Sequence, residues 1–381
     1  MLCVLILGPK EARRAVVDVM IFGAGETCRA LLARISQSGD DVRVIALTDN
    51  DSSKWGRTFY GYTVIPPQEM SLGSFDYVIV ASIFYADIAL QLMDLGVPGK
   101  KIVDGNLLVD PGYYTLPLPK DVTQEPLAGM ITGLSYAVGI KTEVFPERFV
   151  NLAMRSQDLF FDYCLARYLL DCLGCRSIRY AIVGLSYYSF QHDMTQSSLA
   201  YLALRYGDVL TDLAPLIRDD LMSRRMEHVR EIKKRYDRCP APYVPLKLQR
   251  VAAAKEEERR NVSKEAFEKA AAANGKKDYP QTARENHHIL RQYMKMLTAY
   301  RVKPVIVVHP QHRLYRSAFP ARLKEEFYEV VDGIRDEYDF QLIDGYELPY
   351  GDGEYADGHH LNGAGALRFS KYLRETIVWD R

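Results

Sequence analysis

Short apolar runs separated by amphipathic stretches recur along most of this chain. In the first third, residues 15–22, 42–48, 75–82 and 101–104 are rich in Val, Ile and Phe and too short for helices. Between them, residues 29–35 and 84–95 carry apolar positions at helical spacing. Strands that alternate with helices predict a parallel sheet with helical crossovers. After a break the rhythm resumes. Residues 127–132, 149–153, 179–184, 304–309 and 340–344 read as strands, and 156–173, 285–299, 321–338 and 363–377 as helices. The pattern predicts an α/β protein with two parallel-sheet domains.

The break is residues 111–126, where Pro111, Pro117, Pro119 and Pro126 cluster. Proline removes donors and restricts its neighbours, so this stretch reads as a linker between domains 1–110 and 127–381. Inside the second domain, residues 207–284 do not alternate. They are heavy in Arg, Lys and Glu and include an Ala-rich run at 252–273, so a charged helical insertion is expected. A solvated helix pair is the plain reading of it; a lid or a contact in a homo-oligomer is the functional one.

Composition narrows the function classes. Hydrophobic residues make up 48% of 381, enough for real cores. Lys+Arg and Asp+Glu balance at 49 each, which gives no electrostatic case for nucleic acid or an anionic membrane as partner. No run approaches the roughly 18 apolar residues of a membrane span. The apolar start, residues 1–7, is short and has no basic leader, so it reads as an extension outside the fold and not as a signal peptide. Six cysteines are too few for a disulfide framework in a chain this long; Cys172-x-x-Cys175 reads as a plain pair of thiols, and the usage fits the cytoplasm.

The densest chemistry lies near the end, in Asp357-Gly-His359-His360-Leu-Asn-Gly-Ala-Gly365. An Asp three residues before a His, just ahead of a predicted helix, can hold one ring nitrogen and leave the other to take a proton from a nucleophile. A candidate nucleophile, Ser135, follows a predicted strand in Gly133-Leu-Ser-Tyr136, and Gly184-Leu-Ser186-Tyr187 repeats the pattern after another. Neither is the Gly-x-Ser-x-Gly elbow. The Asp-x-x-His spacing selects His360 as base and leaves His359 as its neighbour. His309-Pro-Gln-His312 follows a strand at the same sheet edge and is expected to line the substrate pocket. No ligand cluster supports a metal, whether at Asp357-x-His359 or at His287-His288.

These residues resemble the SGNH (GDSL-like) hydrolases over roughly residues 127–381. The first block of that family, a strand and Gly-x-Ser turn, is matched by residues 131–135; the fourth, Asp-x-x-His before a small-residue helix start, by 357–365. The second is matched by 150–158, with Ala153 where Gly is usual, and the third by 183–186, with Ser186 where Asn is usual. The resemblance implies a flavodoxin-type three-layer sandwich and a Ser135–His360–Asp357 triad. It also implies an oxyanion site built from the N–H groups of Ser135 and Ala153 and, in place of the family's Asn, the Ser186 hydroxyl. No cofactor is required for such catalysis.

In the first domain, Gly23-Ala-Gly25-x-x-Cys28 sits between a strand and a helix, the context of a phosphate-binding turn, and Asp49 ends the second strand where a ribose ligand belongs. Residues 16–110 resemble the Rossmann-like nucleotide-sugar-binding domain that precedes bacterial sugar acetyltransferases. A nucleotide or nucleotide-sugar at Gly23, Gly25 and Asp49 is therefore expected; a redox dinucleotide rests on the glycine turn alone. Together the two halves point to a serine esterase or O-acyltransferase acting on a small-molecule or glycan substrate. The alternative is a catalytically weak scaffold protein in a bacterial polysaccharide-modification pathway.

Overall fold

The computed structural model describes residues 16–39, 41–118, 122, 125–254 and 262–380, so the expected N-terminal extension lies outside the described residues. The chain is α/β and forms two compact units, Met1–Tyr114 with Tyr236–Glu258, and Thr115–Arg235 with Arg259–Arg381.

The first unit begins with β1 (Val17–Phe22), α1 (Glu26–Ser38) and β2 (Val42–Thr48). A hairpin of β3 (Thr58–Phe59) and β4 (Tyr62–Ile65) follows, then β5 (Tyr77–Val80), α2 (Tyr85–Asp94), β6 (Ile102–Asp104) and α3 (Gly105–Val109). The sheet order is β3-β4-β2-β1-β5-β6, parallel except for the β3–β4 pair. Five of the six β1 residues are buried, as a strand covered on both faces requires.

The second unit carries β7 (Gly129–Gly133), β8 (Phe149–Asn151), α4 (Leu159–Arg167), β9 (Tyr180–Leu185), α5 (Gly207–Leu213) and α6 (Asp220–Arg235). The chain then passes through the first unit, where α7 (Gln249–Ala253) lies. On return it forms α8 (Lys264–Gly275), α9 (Pro280–Ala299), β10 (Lys303–Val308), α10 (Arg313–Ala318), α11 (Ala321–Asp332), β11 (Gln341–Asp344) and α12 (Gly363–Thr376). Its five strands run β11-β10-β9-β7-β8, all parallel. Counted from β7, this is the 2-1-3-4-5 order of doubly wound sheets, with a switch point between β7 and β9.

The expected single insertion at 207–284 is corrected by this arrangement. Residues 236–258 belong to the first unit, where Leu248 and Val251 are fully buried in a core with Val17, Leu31 and Leu47. Arg34 donates to the carbonyl of Ala252 at 3.2 Å, and the Tyr85 hydroxyl to that of Pro240 at 3.1 Å. Two apolar residues in a charged stretch carry too little periodicity to reveal this docking. The helix expected at 156–173 starts at Leu159, capped by Asp158 through the N–H groups of Phe160 and Phe161, and ends in a π-turn over Tyr168–Cys172. Cys172 and Cys175 remain free thiols. Among the described residues, no helix is long and apolar enough to cross a membrane.

Candidate active site

Ser135 stands just past the carboxyl end of β7, at the switch point. Gly133 closes the strand with φ 141°, and a Cβ there would lie 2.4 Å from the Gly184 carbonyl oxygen, so only glycine lets β7 and β9 end this close together. The turn after it is clamped. The Ala137 N–H donates to Leu134 O at 2.9 Å, and the Asn151 amide donates to the carbonyls of Ala137 at 2.9 Å and Ile140 at 3.2 Å. From beneath, the buried carboxyl of Asp162 takes the Gly133 N–H and a Gln157 amide hydrogen bond at 2.6 Å; burial drives it far above the ordinary carboxylate range despite both.

The opposite wall comes from the loop before α12. Ala356 and His360 pair through the backbone at 2.8 Å, Tyr355 and Leu361 form a bridge, and Asn362 caps α12 through the N–H groups of Ala364 and Gly365. Asp357 folds back on this loop. Its Oδ1 accepts the N–H groups of His359 at 3.0 Å and His360 at 2.8 Å, which leaves Oδ2 for the His360 ring.

The structure brings Ser135, His360 and Asp357 together. His360 Nδ1 lies 2.8 Å from Asp357 Oδ2, and His360 Nε2 lies 2.7 Å from Ser135 Oγ. Burial alone would raise the Asp357 carboxyl, but the hydrogen bond and charge of His360, with the charge of His359, hold it well below the usual range. An ionised Asp357 is what an orienting residue needs. His359 does not reach Ser135. Its ring centroid lies 3.9 Å from that of His360, its buried Nδ1 lies 3.7 Å from Asp357 Oδ1 and makes no hydrogen bond, and burial with the charge of His360 lowers it to about 4. Ligand atoms of Asp357, His359 and His360 fall within 4.8 Å of one another, close enough for a cation. An ion there would compete for the atoms that make the triad's hydrogen bonds.

The expected oxyanion donors fare unequally. The Ser135 N–H makes no hydrogen bond among the described residues. The Ala153 N–H is committed to the Asn151 side chain at 3.0 Å, so it serves as a donor to substrate only if that contact opens. Ser186 lies past the end of β9 with its N–H on the Ser189 hydroxyl at 2.8 Å, and it does not line the cavity beside Ser135. That cavity, about 30 Å³, is walled by Ser135, His360, Tyr136, Ile140, His309 and Phe369. His309 therefore lines the cavity beside Ser135. Burial, with the charge of His360, lowers its ring to about 3 and keeps it neutral. His312 turns elsewhere, to Asp352 at 2.7 Å.

Sequence reasoning missed Tyr136. Its buried ring lies 5.2 Å from that of His360 and 6.1 Å from that of His309, and its hydroxyl meets that of Tyr188 at 3.4 Å. The repeat of Tyr after each Gly-Leu-Ser was the available signal.

In the first unit, Gly23 has φ 101°, and a Cβ there would lie 2.8 Å from the Ala81 carbonyl oxygen. Gly25 opens onto free space at the N-terminus of α1. Asp49 is not free for a ribose. Its Oδ2 takes the Ala24 N–H and the Lys54 ammonium, both at 2.8 Å, and its Oδ1 takes the Asp51 N–H at 2.9 Å. Burial would raise this carboxyl; Lys54 and the two N–H groups outweigh it and keep it ionised. Asp49 therefore ties the glycine turn to the second strand. Glu26 in the first turn of α1 sets a negative charge where a phosphate would bind. A hollow of about 470 Å³ lies instead on the flank of α1, lined by Arg29, Ser36, Tyr60 and Tyr62 among others.

The family model described as C2185-like, N-terminal, matches residues 16–103. That stretch reaches the second residue of β6 and stops ahead of Ser135. No curated protein matches the chain.

Proposed function

We propose that the second unit is a serine esterase or O-acyltransferase of SGNH type, acting on an acylated carbohydrate or glycan precursor. The observation that carries this reading is the relay of 2.7 Å and 2.8 Å from Ser135 Oγ through His360 to Asp357. His360 takes the serine proton as Oγ attacks the acyl carbon, then returns it to the departing alkoxide. Asp357 holds the ring and stabilises its cationic form. The Ser135 N–H is the free donor for the tetrahedral oxyanion, and one missing donor costs about a hundredfold or more. Modest turnover of unactivated esters is therefore expected, with activated esters faster. The test is hydrolysis of an activated acetyl ester and of acetylated sugars by the full chain, and acetyl transfer from the activated ester to free sugars as acceptors. Ser135→Ala is expected to lose about a thousandfold or more. Equal rates in the two proteins would sink the reading.

The Ala153 N–H held by Asn151 favours a second reading, a scaffold whose site does not turn over. For the first unit we propose a nucleotide-bearing ligand at the Gly23–Gly25 turn, supported by the open space at Gly25. Calorimetric titration with nucleotides and nucleotide sugars is expected to show binding that Gly25→Val removes. No binding by the wild-type chain leaves this unit a scaffold.

A further inference from the structure

We infer that the cavity beside Ser135 seats the acyl group and restricts the site to acetyl esters and their nearest homologues. The inference rests on the role proposed for Ser135. When Oγ attacks an acyl carbon, the substituent on that carbon must enter space adjoining Oγ. The hollow beside Ser135 and His360 offers about 30 Å³. One water-sized group needs about 10–15 Å³ on the same measure, so the space takes about two such groups. It admits a methyl or ethyl group and is too short for a longer chain.

The walls resist enlargement. Phe369 is 1% exposed, Ile140 4% and Tyr136 8%, so each is packed from behind. Ile140, Leu361, Ala366 and Phe369 in the lining carry hydrocarbon side chains, which suits a methyl group. Gly139 and Ala366 both line the cavity and face each other closely: a Cβ added to Gly139 would sit 3.2 Å from the Ala366 Cβ. Both are also fixed in place. Asn151 clamps the turn that carries Gly139, and the Ala366 N–H donates to Asn362 O at 2.8 Å in the first turn of α12.

The experiment measures kcat/KM of the full chain on nitrophenyl acetate, propionate, butyrate and hexanoate, with Ser135→Ala as the blank. The value is expected to fall about tenfold or more for each methylene beyond the first or second carbon. Ala366→Gly is expected to raise the butyrate-to-acetate ratio about tenfold. Ala366→Val should lower acetate turnover with the fold intact by circular dichroism. Gly139→Ala serves as the second narrowing variant if Ala366→Val does not fold. Hexanoate turned over as fast as acetate would overturn the inference while leaving the esterase reading in place. So would a chain-length profile that folded Ala366→Gly leaves unmoved. No ester turned over above the blank would instead overturn the esterase reading, and the inference with it.

Discussion

Replacing His360 with Ala is expected to lower acyl turnover by roughly 10⁴-fold to 10⁶-fold, with the loss in kcat. Among the described residues His360 is the hydrogen-bond partner of Ser135 Oγ, and the neighbouring rings are weak bases: burial lowers both His309 and His359. Asp357→Asn is expected to cost about 10⁴-fold, because an amide neither stabilises the imidazolium nor selects the tautomer that leaves Nε2 free. His359→Ala is expected to cost about tenfold or less. Its backbone N–H, the group that holds Asp357, survives the substitution. The three variants should be compared on an activated acetyl ester after circular dichroism has matched their folds. A dead His359→Ala beside an active His360→Ala would show the triad to be drawn wrongly.

The second large effect is on stability in mild acid. Burial lowers His309 to about 3, with the charge of His360 adding to it. Burial, then Lys277, lowers His192 to about 4, and burial with His360 lowers His359 to about 4. Unfolded, each would titrate near 6.5. Below that pH the unfolded chain binds protons that the folded chain refuses, so stability is full above about 6.5 and drains away as pH falls toward 4. Each ring would contribute a loss of roughly 1–2 kcal/mol by pH 5, an order-of-magnitude figure. Urea midpoints at pH 7.5, 6 and 5 should fall in step, and His192→Gln should flatten the decline. A midpoint unchanged between pH 7.5 and 5 would contradict the burial of these rings as neutral groups.

The parts of the fold that were legible are those with strong local signals. Strands β1, β5, β7, β9 and β10 are buried over most of their length, so they show as mostly apolar runs, interrupted by Asp18, Thr132 and Lys303 alone. The β3–β4 hairpin was not legible, because a two-residue strand has no period to detect. Helix α10, six residues long, was missed for the same reason. The docking of residues 236–258 in the first unit depends on contacts far away in sequence, such as Leu248 and Val251 against the core around Leu31. At the site, the Asp357–His360 spacing is a local geometric constraint and so was visible. The fate of individual hydrogen-bonding groups was not. Asn151 could have faced solvent; it turns inward and takes the Ala153 N–H. Asp49 likewise spends its carboxylate on Ala24, Asp51 and Lys54.

The most direct measurement of the central claim is covalent labelling of the full chain with a fluorophosphonate, read by mass spectrometry of the peptides. The Ser135–His360–Asp357 relay predicts one adduct, on Ser135, retained in Ser186→Ala, lost in Ser135→Ala and greatly slowed in His360→Ala. An adduct on Ser186, or labelling that survives Ser135→Ala, would contradict it.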